Sequence, residues 1–164
     1  MPEQNDIHRV WDIVEKAGVG MLTTRFAGGL RARPVEPRFN RDHGLIRFVT
    51  DVRGLKDDEI ENSPDVGLVV ISPADKAYAS IAGRATVARD PAAAKKIWRS
   101  TDNVWWPGGP DDPNVRVIVL TPSLAELWDG PASSMVAAFE LAKAKVTGQK
   151  PDLGENRKKT VTMG

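Results

Sequence analysis

Cysteine is absent from the 164 residues. A disulfide framework, a thiolate nucleophile, an iron–sulfur cluster and a cysteine-ligated zinc are excluded with it. Histidine occurs only as His8 and His43, which argues against a histidine-rich metal site and leaves acid–base chemistry poorly supplied. Long apolar runs are missing: the longest, Val66 to Ile71, falls far short of the roughly 20 residues of a membrane span. The start, Met1 to Val10, is polar and lacks the apolar segment of a secretion signal. A cytoplasmic protein is therefore expected. Phosphate-loop, dinucleotide-turn, zinc-protease and nucleophile-elbow patterns are also absent.

An excess of one charge is lacking too, with 23 Lys/Arg against 22 Asp/Glu for a net of +1. The basic residues gather at the end, where Lys143 to Gly164 holds six Lys/Arg and two Asp/Glu, leaving 17 against 20 elsewhere. A nucleic-acid binder concentrates positive charge on a folded face, so no nucleic-acid partner is expected. Size predicts one domain, placed at 1–148, with 149–164 a basic, flexible tail.

What is present is mostly strand-like. Ile7, Val10, Trp11, Val14 and Ala17 recur at helical spacing, and Gly18 provides a stop. Val19–Phe26, Leu30–Phe39 and Leu45–Thr50 then read as a three-strand meander, with Pro34 and Pro37 pushing the second strand toward an edge. Leu55–Asn62 reads as a short helix. Val66–Ser72 and Lys76–Arg89 are strands, and Gly83 inside the latter marks a bulge or a close backbone approach. Pro91–Ser100 is a helix capped by Asp90. Two more strands follow, Asn114–Thr121 and Ser123–Trp128, then a helix, Ser133–Val146, with Met135, Phe139, Ala142 and Val146 on one face. Short connections favour an antiparallel barrel or curved sheet over a parallel array, which needs a crossover helix between strands.

Three stretches carry chemistry. In Phe48–Lys56 a strand ends on Thr50, a glycine turn follows, and a helix opens with Lys56. Thr50, Arg53, Lys56 and free backbone N–H groups there suit a phosphate, although Asp57 and Asp58 answer the same helix end. In Leu30–Val35 the period of two puts Arg31 and Arg33 on one face, facing either a cleft or solvent. Trp98, Trp105, Trp106 and Trp128 crowd the second half, as core and interface packing or as the rim of a pocket.

Taken in order, these stretches resemble the pyridoxamine 5′-phosphate oxidase-like split-barrel flavoproteins, in the general stress protein 26 branch. The resemblance is carried by Gly20-Met21-Leu22-Thr23-Thr24, Arg31-Ala32-Arg33-Pro34, Phe48-Val49-Thr50 with Lys56 and Glu59-Ile60, and Asn62-Ser63-Pro64. Further on it is carried by Gly83-Arg84-Ala85, Trp98, the Trp106–Pro113 loop and Leu127-Trp128-Asp129.

The resemblance implies an all-β core with peripheral helices, a six-stranded antiparallel split barrel that forms a homodimer with flavin mononucleotide (FMN) at the interface. It implies that Arg33 and Lys56 hold the FMN phosphate with help from Thr50. The backbone of Pro34, Val35 and Val49 would line the isoalloxazine. Tyr78 would reach the flavin from the other subunit, and Trp128 would lie near it. Flavin-dependent oxidoreductase chemistry on an unknown small substrate follows, with no catalytic side chain assigned and no metal. The alternatives are a flavin-sequestering stress protein, or a barrel holding FAD, a deazaflavin or heme. Two departures matter. Leu55 precedes the lysine where the family often has Ser or Arg, which would weaken FMN affinity or shift load to Arg53. The family's C-terminal Arg-x-His-x-Arg pattern is absent after Trp128, so oxidation of pyridoxamine phosphate itself is not expected.

Overall fold

In the computed structural model, residues 2–54, 56–130, 134–151 and 157–164 are described. Helix α1 (Pro2–Ala17) is followed by β1 (Gly20–Phe26), β2 (Gly29–Val35), the short β3 (Arg38–Asn40) and β4 (Leu45–Asp51). Helix α2 (Lys56–Asn62) leads to β5 (Asp65–Ser72) and β6 (Ala77–Ala88), then helix α3 (Pro91–Ile97). A long β7 (Val115–Asp129), helix α4 (Ser134–Thr147) and β8 (Arg157–Thr162) complete the chain. The pairings are antiparallel in the order β2-β1-β5-β6-β7-β4-β3, with β8 also on β7.

The sheet curls, and the core shows it. Leu22 of β1 and Phe48 of β4 lie near opposite ends of that order, yet they share one buried cluster with Leu68, Ile81, Ile118 and Leu120. Residues alternate along each strand, so Ile46, Phe48 and Thr50 of β4 are buried while their neighbours are half-buried. Val10, Ile13 and Val14 of α1 plug the cluster. Trp11 stacks on Phe39 with ring centroids 5.8 Å apart. Gly18, at φ +69°, ends α1 in the left-handed conformation that favours glycine. A smaller cluster of Ala94, Trp106, Val115 and Val117 packs on the other face of β4 and β7.

The antiparallel architecture with helices at its periphery is as expected, but the described residues form eight strands. The stretch Leu30–Phe39 breaks at Glu36-Pro37 into β2 and β3. The two strands expected across Pro122 are one. Pro122 lacks a backbone donor, and it lies opposite Gly83, where the β6–β7 register shifts and no donor is required. A Cβ on Gly83 would come within 2.3 Å of the Thr121 carbonyl, which explains a glycine inside a strand. The helix expected to reach Ser100 stops at Ile97, with Trp98 already extended.

The end of the chain differs most from expectation. Instead of a free tail, Arg157–Thr162 pairs with Leu124–Asp129 of β7. Val161 enters the core, and Lys159 Nζ meets Asp6 Oδ2 at 2.6 Å. Its charges disguised the strand, because Val161 is the single buried position among residues 158–162, a faint apolar signal. On α4, Phe139 and Val146 are exposed rather than packed, and the side chain of Met135 lies outside the described residues. No helix among the described residues is long and apolar enough to cross a membrane.

Candidate functional site

The site grows from the β1–β2 hairpin and helix α2. Antiparallel register sets Arg31 opposite Thr24 and Arg33 opposite Leu22. Arg31 and Arg33 therefore share a face, and that face meets α2. There Glu59 is buried. Its Oε1 forms an ion pair with Arg31 Nη1 at 3.0 Å, and its Oε2 accepts from Arg33 Nη2 at 2.7 Å. The Thr24 hydroxyl donates to the same Oε2. Burial pushes the Glu59 pKa up. Hydrogen bonds from Thr24 and Arg33, and the charges of Arg33 and Arg31, outweigh it and hold the carboxyl below its ordinary value.

Of the two arginines, Arg33 is the enclosed one, its side chain 14% exposed against 41% for Arg31. Arg31 stacks over the Phe26 ring at 4.4 Å. Arg33 Nη1 is buried and has no hydrogen-bond partner. A buried guanidinium donor left unpaired costs free energy, and an anion supplied at that point would remove the cost. The donor set fits a phosphate group.

Thr50 ends β4 on the buried face and pairs in register with Arg116. Arg116 Nε meets Asp57 Oδ2 of α2 at 3.2 Å. Helix α2 is thus tied to β7 through Asp57 and to β1 and β2 through Glu59. Lys56 opens that helix, but its side chain and Leu55 lie outside the described residues. Arg53 is paired with Asp51. Its Nε donates to Asp51 Oδ1 at 2.7 Å and its Nη2 to Asp51 Oδ2 at 2.5 Å.

Trp106 braces this corner. Its Nε1 donates to Asp51 Oδ2 at 3.1 Å. The side-chain hydrogen bond from Arg53 is the main cause holding the Asp51 carboxyl far below the carboxylate range. Asp102 fixes the loop that carries Trp106. Its carbonyl accepts from the Trp105 and Trp106 N–H groups, and its carboxylate is bidentate with buried Arg38 at 3.0 and 2.9 Å. Sequence reasoning matched Glu59 to a family pattern without a role, read Trp106 as packing or a pocket rim, and passed over Asp51 and Asp102. The i, i+3 spacing of Lys56 and Glu59, which sets both on one helix face, was the available signal.

The remaining predicted residues are dispersed. Val49 packs against the Trp106 cluster, and Val35 lies at the edge of the main core. Pro34 is exposed and pairs in register with Met21. Tyr78 and Trp128 are direct cross-strand neighbours. Lys158 Nζ lies 5.4 Å above the Trp128 ring. They occupy the far end of β7 from Arg116, twelve residues away or up to about 40 Å along the strand. One chain does not bring Tyr78 and Trp128 to the Arg33–Thr50 corner.

A curled antiparallel sheet of this topology, with helices at its rim, defines the split-barrel class. Residues 5–152 match the model of the pyridoxamine 5′-phosphate oxidase like family, and the chain belongs to that family. It is 30% identical over 125 residues to general stress protein 26 of Bacillus subtilis strain 168, covering 74% of this chain and 87% of that one. A crystal structure described as a general stress protein 26 from Jannaschia sp. CCS1 superposes with a TM-score of 0.78 at 29% identity, covering 97% and 99% of the two chains. The general stress FMN/FAD binding protein of Xanthomonas citri has the same fold, with a TM-score of 0.66 at 24% identity over 79% of this chain and 92% of that one.

Proposed function

We propose that this protein is an FMN-binding flavoprotein that works as a homodimer and carries oxidoreductase chemistry on a small substrate. The observation that carries the reading is the buried, unpaired Nη1 of Arg33, facing no acceptor of its own chain. The naming of the Xanthomonas citri relative as an FMN/FAD binding protein supports it. Arg33, Lys56 and Thr50 would hold the phosphate, and the backbone of Pro34, Val35 and Val49 would border the ring system. Bound flavin supplies a centre that accepts and returns electrons, which these side chains otherwise lack. The chain's own contribution is to anchor the phosphate, orient the ring and exclude water.

The two-chain reading rests on an apolar outer sheet face. Met21 and Val69 are register neighbours, as are Ile71 and Tyr78, and all four are exposed by 40–46%. A face of this kind is normally covered, and a second copy would deliver Tyr78 and Trp128 to the first copy's phosphate corner. No histidine follows Trp128, which sets this reading apart from oxidation of pyridoxamine phosphate.

The test is to purify the protein, record its flavin absorbance, titrate it with FMN and measure its solution mass. Saturable FMN uptake by a dimer is expected, with reduction by NADH or NADPH and reoxidation by an acceptor. No uptake of FMN would end the flavin reading. Uptake without turnover would leave a flavin carrier and remove the oxidoreductase.

A further inference from the structure

We infer that Glu59 is the positioning residue of the phosphate anchor, holding Arg33 by one arm of its fork so that the other stays available to a terminal phosphate monoester. The inference rests on the flavin reading above.

An arginine facing a carboxylate usually closes a two-point contact. Here that contact is blocked. Glu59 Oε1 is taken by Arg31, and Oε2 is shared by Arg33 Nη2 and the Thr24 hydroxyl. With Arg31, Arg33 and Thr24 all on Glu59, both carboxylate oxygens have a partner while the Arg33 fork is only half used. The unused arm, Nη1, is buried. Arg31 and Arg33 against Glu59 leave one net positive charge in the cluster, so an anion is still attracted.

A guanidinium on a long side chain loses much rotamer freedom when it binds. Three contacts on Glu59 fix that geometry before any ligand arrives. Residues held by their neighbours within a fraction of an ångström are what make a binding site effective. A carboxylate that merely balanced charge would act in the opposite sense, because its removal would strengthen binding of an anion.

The sign of the effect therefore decides, and comparison of FMN with riboflavin isolates the phosphate. Dissociation constants for both are measured by flavin fluorescence on wild type, Glu59→Ala, Glu59→Gln and Arg33→Ala. The wild type is expected to prefer FMN. Glu59→Ala should lower that preference about tenfold, the scale of one charge-assisted hydrogen bond, with riboflavin affinity held. Glu59→Gln, which keeps an acceptor oxygen for Arg33, should restore most of it. Adding Glu59→Ala to Arg33→Ala should cost nothing further in preference, because Glu59 acts through Arg33.

An unchanged or increased FMN preference in Glu59→Ala overturns the assignment while leaving the flavin reading intact. A wild type that binds riboflavin as tightly as FMN overturns both. If Glu59→Ala does not fold, Thr24→Val removes one of the three contacts without a cavity. It should reduce the preference a few-fold, and no reduction there overturns the assignment.

Discussion

Asp102→Ala offers the sharpest test of how the site corner is held. Arg38 and Asp102 are each 7% exposed at the side chain and form a two-point contact at 2.9 and 3.0 Å. Removing one member of a buried pair strands the other charge, at about 3–5 kcal/mol. Here the loss lies in the lower part of that range. Arg38 keeps the Ile97 carbonyl at 3.2 Å and the half-exposed Glu36 carboxylate at 3.2 Å. The Arg99 N–H, which donates to Asp102 Oδ2 at 2.8 Å, loses its acceptor as well. A total of about 3–4 kcal/mol follows, which lowers Tm by roughly 6–16 °C for a domain of this size. The assay is thermal unfolding followed by circular dichroism and by tryptophan emission, since Trp106 hangs from the Asp102 carbonyl. Arg38→Met combined with Asp102→Ala should be less harmful than Asp102→Ala alone, because no buried charge remains. A fall in Tm below about 2 °C for Asp102→Ala, or a double variant worse than the single, would refute the reasoning.

Gly83→Ala forces a methyl to 2.3 Å from the Thr121 carbonyl and 3.0 Å from Pro122 Cα. Both are backbone, so a loss of about 3 kcal/mol or more is expected in denaturant unfolding, and a neutral result would disprove the close approach. Trp106→Phe keeps an aromatic ring, though a smaller one, and removes the indole donor to Asp51. It should cost about 1–2 kcal/mol in the same measurement. On acidification, Glu59, Asp51 and Asp75 act alike, since each carboxyl is held below its ordinary value in the folded state. Their contribution is complete above the ordinary carboxylate range and is lost as pH falls through their folded values. Tm should hold steady from pH 8 to about 5.5 and drop below about 4.5, with a shallower drop in Glu59→Gln. A Tm that rises on acidification would contradict the sign.

Much of the architecture was legible because its signals are local. The helical spacing in residues 7–17, the alternation in Leu45–Thr50 and the glycine at 83 each act over a few residues, and each element formed where it was read. Misreadings fell where a distant partner decides. Pro122 interrupts a strand in isolation, but opposite the Gly83 bulge its missing donor is not needed. The basic end reads as tail until β7 supplies a neighbour for Arg157–Thr162.

The candidate site divides along the same line. The family resemblance singled out Arg33 with Thr50 and Lys56, whereas strand alternation only set Arg31 and Arg33 on one face. That alone left Arg31 and Arg33 equivalent. The fold separates them, since α2 crosses the β1–β2 hairpin and presents Glu59 there, enclosing Arg33 and leaving Arg31 more exposed. The sequence by itself determined which strand residues of β4 face inward, the absence of a thiol, and the family. Tertiary structure alone decided which charges meet and which donor is left buried without a partner. Periodicity fixes the direction of a side chain within its own element. The groups that neutralise it come from elements 26 to 120 residues away, as in the Arg33–Glu59 and Arg9–Asp129 pairs, and become neighbours only when the sheet curls.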